Sequence, residues 1–285
     1  MIEPGTALPI GAAALGYAAG VRRLWRHAGG ARGIDRRQLA LFAAGILALV
    51  VALLSPLDTM ADDLFSAHMV QHMLLAIVAP PLLVAGEPLT AWVWVIPERV
   101  RADAARYVRR CAAAGAAIAT PAAVCAAHAV AIWMWHAPRL YEAALRDERV
   151  HAIEHLSFLG TGMLLWWRIM PHGRPSRRGF AAGILIVFAT MMQTGLLGAL
   201  LTLSRRPWYS IHAATTARWG LTVLEDQQLA GLIMWVGGGL FYVVVMSILF
   251  VEWLDHFDVR RMGISGDASG LRPAASRDHP SLRSG

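Results

Sequence analysis

The sequence predicts an all-α, polytopic transmembrane bundle of about seven spans, with its N-terminus outside and its C-terminus in the cytoplasm. Three observations carry this. Hydrophobic residues make up 56% of the 285 positions and charged residues only 16%, with a mean hydropathy of +0.48, whereas a soluble domain is about a quarter charged. Apolar stretches of roughly the 20 residues that span a bilayer recur along the chain. All 26 basic residues are Arg, and they gather in alternate connections. This composition excludes a disordered chain, a coiled coil and most soluble enzymes. A net charge of +7 suits a nucleic-acid binder only where it forms one face of a soluble module. Here it is spread over loops, so the expected surroundings are a lipid bilayer and not nucleic acid. Cys111 and Cys125 stand alone in apolar surroundings and form neither a CxxC motif nor a disulfide framework.

The expected spans are 6–21, 38–57, 65–86, 112–135, 150–170, 179–203 and 228–254. The first is short and rich in Ala and Gly. No basic region precedes it, as a signal peptide would require, and Arg22, Arg23 and Arg26 follow it. Leu89 to Ile96 is too short to span. Its Trp92 and Trp94 suit an interfacial segment, and Trp166 and Trp167 suit an aromatic belt. The loops after spans one, three and five, with the tail, hold 20 of the 26 Arg residues. The positive-inside rule places those connections in the cytoplasm. Residues 1–262 thus form one transmembrane domain. Residues 263–285, rich in Ser, Gly, Pro and Arg, read as a disordered cytoplasmic tail. No internal repeat is evident, which disfavours a transporter.

Ionisable groups inside a membrane are costly and mark functional sites. Six of the eleven histidines fall near the face opposite the Arg-rich loops: His68, His72, His136, His151, His155 and His212. Two pairs share one spacing, His68 and His72 in HMVQH and His151 and His155 in HAIEH. Residues at i and i+4 project from one helical face, so each pair can offer two imidazoles to one point. Imidazole suits copper, zinc, iron or nickel, and thioether sulfur favours Cu(I). The expected metal ligands are His68, His72, His151 and His155, with His136 as a fifth and Met69 and Met73 assisting. Asp58, Glu154 and Asp226 are expected to orient the imidazoles from behind. Asp58 equally suits a helix cap. Pro80 and Pro81 are expected to kink their helix below His72.

Three separated blocks carry a resemblance. SPLDTMADDLFSAHMVQHMLLAIVAPPLLVAGEP, HAPRLYEAALRDERVHAIEHLSFLGTGMLLWW and EDQQLAGLIMWVGGGL occur in that order. Over residues 20 to 255 the chain resembles the CtaG-type cytochrome c oxidase assembly factors, seven-span bacterial membrane proteins. The resemblance implies a location in the bacterial inner membrane and a role in building haem–copper oxidases, through copper supply to an oxidase subunit in the same membrane. A copper donor on the outer side would complete the route. The matching positions are Asp58, His68, Gln71, His72, His136, Pro138, Tyr141, His151, Glu154, His155, Asp226, Gln227 and Gln228. This adds Gln71 and Gln227 to the supporting residues. The third block departs from the family by lacking a proline before its glycines, which puts a helix bend there in doubt.

Copper handling without catalysis is therefore the expected function. The alternative is a seven-span intramembrane zinc hydrolase in which zinc activates water, with Ser66 and Asp58 acting beside His68 and His72. A haem protein needs only one axial His per helix, which leaves the paired spacing unexplained.

Overall fold

The computed structural model describes residues 4–170 and 177–265, and among them it is all α-helical. The helices are α1 Pro4–Ala28, α2 Arg36–Leu54, α3 Pro56–Asp63 and α4 Phe65–Ala85, then α5 Pro88–Val95, α6 Glu98–Ile118, α7 Pro121–Trp135 and α8 Pro138–Arg146. α9 is Glu148–Ile169 and α10 is Arg177–Leu203. α11 joins Val223–Leu232, a π-helical turn at Ile233–Gly237, and Gly238–Ser265. Two short 3₁₀ turns, Ile211–Ala214 and Thr216–Trp219, lie in the connection between α10 and α11.

Four helices are long and apolar enough to cross a bilayer: Arg36–Leu54, Phe65–Ala85, Gly179–Leu203 and Val223–Leu254. The protein is multi-pass. Leu47, Leu185, Leu196 and Val244 are exposed, as expected of side chains facing lipid, where no water drives them inward. α4 is the central helix. Buried residues make up 67% of its apolar window, against 28%, 39% and 22% in the other three. α2 and α9 pack on it, the start of α11 packs on its first turns, and α7 and α10 complete the bundle.

Two expected boundaries move. The stretch 112–135 is not one helix, because Thr120 caps a new one through its bond from the Ala123 N–H and Pro121 occupies its first turn. Pro fits there because that N–H has no helical partner. The basic connection before it is the helix α6, and none of residues 98–115 is buried. At the other end, α11 continues to Ser265, and residues 266–285 of the expected tail lie outside the described residues. Trp166 is buried against Phe241 and does not join a surface belt.

Two of the long helices are interrupted by π-helical turns. α4 takes a π-helical turn at Leu74–Val78, just ahead of Pro80 and Pro81. The wider turn accommodates residues that cannot donate a backbone hydrogen bond. α11 has no proline at the corresponding place but carries its own π turn at Ile233–Gly237, within the MWVGGG stretch. α4 and α9 approach closely at Gly162, where an added Cβ would meet Pro80 Cγ at 2.8 Å and the Ala76 carbonyl at 2.9 Å. Small residues allow such backbone approach in membrane bundles.

Candidate metal centre

The site is assembled at one end of the bundle by the first turns of α4 and α9. His68 and His72 lie in α4, and His151, Glu154 and His155 in α9. Leu64, at the cap position of α4, offers no side-chain bond. The cap comes instead from α11, where Asp226 Oδ2 accepts from Phe65 N at 2.7 Å and Oδ1 from Ser66 N at 3.0 Å. A carboxylate at a helix N-terminus satisfies orphan N–H groups and opposes the helix dipole. That bond fixes the height of α4 one turn before His68. Gly162 sets its spacing from α9 two turns below His155.

The result is a compact donor group. One ligand atom from each of His68, His72, Glu154 and His155 lies within 4.8 Å of every other. His72 Nε2 is 3.6 Å from Glu154 Oε1, and His68 Nε2 is 3.9 Å from Glu154 Oε2. These separations fall within twice a metal–nitrogen or metal–oxygen bond of about 2.0–2.2 Å, so two donors can share one ion. The ring centroids of His68 and His72 are 4.1 Å apart, and those of His72 and His155 are 5.5 Å apart. His151 stacks on His68 at 5.3 Å and sits 4.1 Å from His155.

The decisive feature is what these atoms lack. Both ring nitrogens of His68 and of His72, both carboxylate oxygens of Glu154, and Nε2 of His151 and of His155 are buried with no hydrogen-bond partner. Buried polar atoms are otherwise almost always paired. Leaving one unpaired costs about 1–3 kcal/mol. A cation answers one lone pair on each of the His68, His72 and His155 rings together with the Glu154 carboxylate, while the second nitrogen of each neutral ring keeps its proton. Three imidazoles and a carboxylate form a donor set suited to a divalent or monovalent transition metal, and the residues therefore fit a metal ion.

The other expected residues fall into distinct roles. Glu154, expected behind the imidazoles, stands among them as a ligand candidate. Its signal was its own spacing, since Glu154 lies at i+3 from His151 and so shares its face. His136 ends α7 and approaches α4, with its Nε2 3.3 Å from Met69 Sδ. Met73 instead packs on α11, its terminal methyl over Gly238. Asp58 is tied to α4 through Gln71. Its Oδ1 accepts at 2.7 Å from Gln71 Nε2, which also donates to the Ala52 carbonyl at 2.9 Å. Asp226 is a cap in trans, both of its carboxylate oxygens accepting from backbone N–H groups. Gln227 Oε1 accepts from Trp208 N at 2.5 Å, and its Nε2 donates to the Leu201 carbonyl at 3.3 Å.

A lid of paired polar residues closes this end. Tyr141 Oη lies 2.8 Å from His212 Nε2. Burial, aided by Glu154, pushes the Tyr141 hydroxyl well up, so it keeps its proton and donates. Burial also lowers His212, which stays neutral and accepts. The Tyr209 hydroxyl donates to the His136 carbonyl at 2.7 Å. His128 stands apart from the cluster, deeper in α7, with Nδ1 2.9 Å from Thr161 Oγ1. An apolar crevice of about 370 Å³, lined by Pro9, Ile46, Leu75, Leu83 and Leu159, reaches His155.

Residues 15–256 match the family described as cytochrome c oxidase caa3 assembly factor. The chain belongs to that family. It is also similar to an uncharacterized protein of Mycobacterium bovis, 28% identical over 249 residues that cover 84% of this chain and 37% of the relative. An uncharacterized protein of Mycobacterium leprae is 26% identical over 274 residues, 88% of this chain and 38% of the relative. The chain thus spans less than two fifths of the length of these relatives. No solved structure matches it. All the histidines of the candidate centre lie inside the family match.

Proposed function

We propose that this protein binds copper at His68, His72, His155 and Glu154 and delivers it to a haem–copper cytochrome c oxidase during assembly. The observation that carries the reading is the buried donor group whose nitrogens and oxygens have no partner in the fold, in a chain of the caa3 assembly factor family. Copper is the metal that an oxidase of this type needs inserted, and imidazole donors suit it. His151 stands next to both His68 and His155 and acts as an exchange ligand. A carrier must release its cargo, and a neighbouring donor lets one bond form as another breaks.

The protein acts as a carrier and not as an enzyme. The crevice that reaches His155 suits hand-over within the membrane plane to an oxidase subunit. The proposed setting is the bacterial inner membrane, crossed seven times with the N-terminus and the metal site outside. The Arg-rich connections support this orientation.

The test is genetic and biochemical together. In cells lacking the gene, the wild-type protein should restore oxidase activity at low external copper, and His72→Ala and His155→Ala should not. Added copper should then bypass the defect in part. Unchanged oxidase assembly in the deletion strain overturns the assembly role.

A further inference from the structure

His136 and Met69 meet in an arrangement that the four-residue cluster does not explain. His136 Nδ1 lies 2.7 Å from the Ile132 carbonyl. A carbonyl only accepts, so Nδ1 carries the ring proton. The Nε2 of that neutral ring is therefore a bare lone pair. It points at Met69 Sδ across 3.3 Å, and a thioether also only accepts. Two acceptors thus face each other in a buried site, with His136 at 5% and Met69 at 1% exposure. Among the described residues no carboxylate forms an ion pair with His136, so nothing compensates a second ring proton there. The ring is also held in place, because the Tyr209 hydroxyl fixes the backbone of His136.

We infer that His136 Nε2 and Met69 Sδ form a second metal station that takes a soft monovalent ion, Cu(I) or its surrogate Ag(I). The complement of two facing lone pairs is a cation. A thioether selects Cu(I), whereas zinc and Cu(II) favour the imidazole and carboxylate donors of the first cluster. The station adjoins that cluster, since the ring centroids of His136 and His72 are 6.1 Å apart. Cu(I) can pass from one to the other by ligand exchange at His72, with no change in oxidation state and no proton released by the neutral His136 ring. Met73 takes no part, because its sulfur end packs over Gly238. This inference rests on the copper-carrier reading for its role, and on the His136–Met69 geometry for its existence.

The test uses the full chain in detergent, titrated anaerobically with Cu(I) and, in parallel, with Ag(I) and Zn(II). Wild type should bind two monovalent ions per chain, with sulfur in the first shell of copper by X-ray absorption. Met69→Leu conserves volume. It should bind one and lose the sulfur signal, while Zn(II) binding is unchanged. Met73→Leu should behave as wild type. His72→Ala with His155→Ala should lose Zn(II) and keep the sulfur-ligated Cu(I). Wild-type copper without sulfur ligation, or a sulfur signal that survives Met69→Leu, overturns the second station. Loss of sulfur-free binding alone would instead count against the first cluster.

Discussion

Two buried polar regions lie side by side at one end of this bundle and differ in one respect. In the knot formed by Asp226 and Gln227, the side-chain atoms find backbone partners: Phe65 and Ser66 N–H for Asp226, Trp208 N–H and the Leu201 carbonyl for Gln227. In the group of His68, His72, Glu154 and His155, both nitrogens of two rings and both carboxylate oxygens have none. The first region has spent its hydrogen-bonding capacity on holding α11, the connection before it and α4 together. The second has kept its capacity free. Burial alone does not separate these two regions; what separates them is that the unpaired atoms of the second are gathered within ligand distance of one another.

Perturbing each region separately breaks or sharpens the contrast. The largest effect is expected in the unpaired group. His72→Ala or His155→Ala should weaken metal binding at this group, read with Zn(II) by competition with a chelator, by more than the roughly 10–100-fold that loss of a supporting residue gives, and should cost little stability. Gly162→Val should follow. Its added side chain meets the Ala76 carbonyl and Pro80, so α4 and α9 must part at a cost of about 1–3 kcal/mol. Both the thermal midpoint and copper affinity should fall together.

Asp226→Ala is the reciprocal case to the histidine variants. It strips the Phe65 and Ser66 N–H groups of their acceptor and should lower stability by about 1–3 kcal/mol. The number of copper ions bound per folded molecule should stay at the wild-type value, with only a modest loss of affinity as α4 shifts, because all the donor side chains remain. A variant that kept its stability and lost copper would reverse the roles assigned to the two regions.

The smallest effect concerns pH. Burial holds the His212 imidazole below its ordinary value. The unfolded chain therefore takes up the proton first as pH falls. The stability tied to neutral His212 is fully present above the ordinary value of about 6.5 and is lost progressively below it. The thermal midpoint in detergent should drop on acidification through that range, and His212→Gln should make the drop shallower.

The sequence makes the histidine pairs legible because their i, i+4 spacing is a local property of one helix. Glu154 was legible as a neighbour but not as a member of the donor group, since that depends on how α9 is rotated against α4. The helix start at Thr120 and Pro121 carries a local signal, a capping hydroxyl followed by Pro, yet apolar content on both sides masks it. The role of Asp226 has no local signal at all. It caps a helix that begins 161 residues earlier in the chain, and only the packing of α11 on α4 brings the two together. Met73 shows the converse. It repeats the spacing of Met69 but meets Gly238 on α11, a contact that spacing alone does not reveal.

The most direct test is the metal content of the full chain, purified in mild detergent from copper-replete cells and measured by mass spectrometry against protein concentration. The account predicts copper at no less than one ion per chain, lost in the triple variant His72→Ala, His155→Ala, Met69→Leu. Stoichiometric zinc with no affinity for copper, or a wild-type protein that binds no transition metal at all, would contradict it.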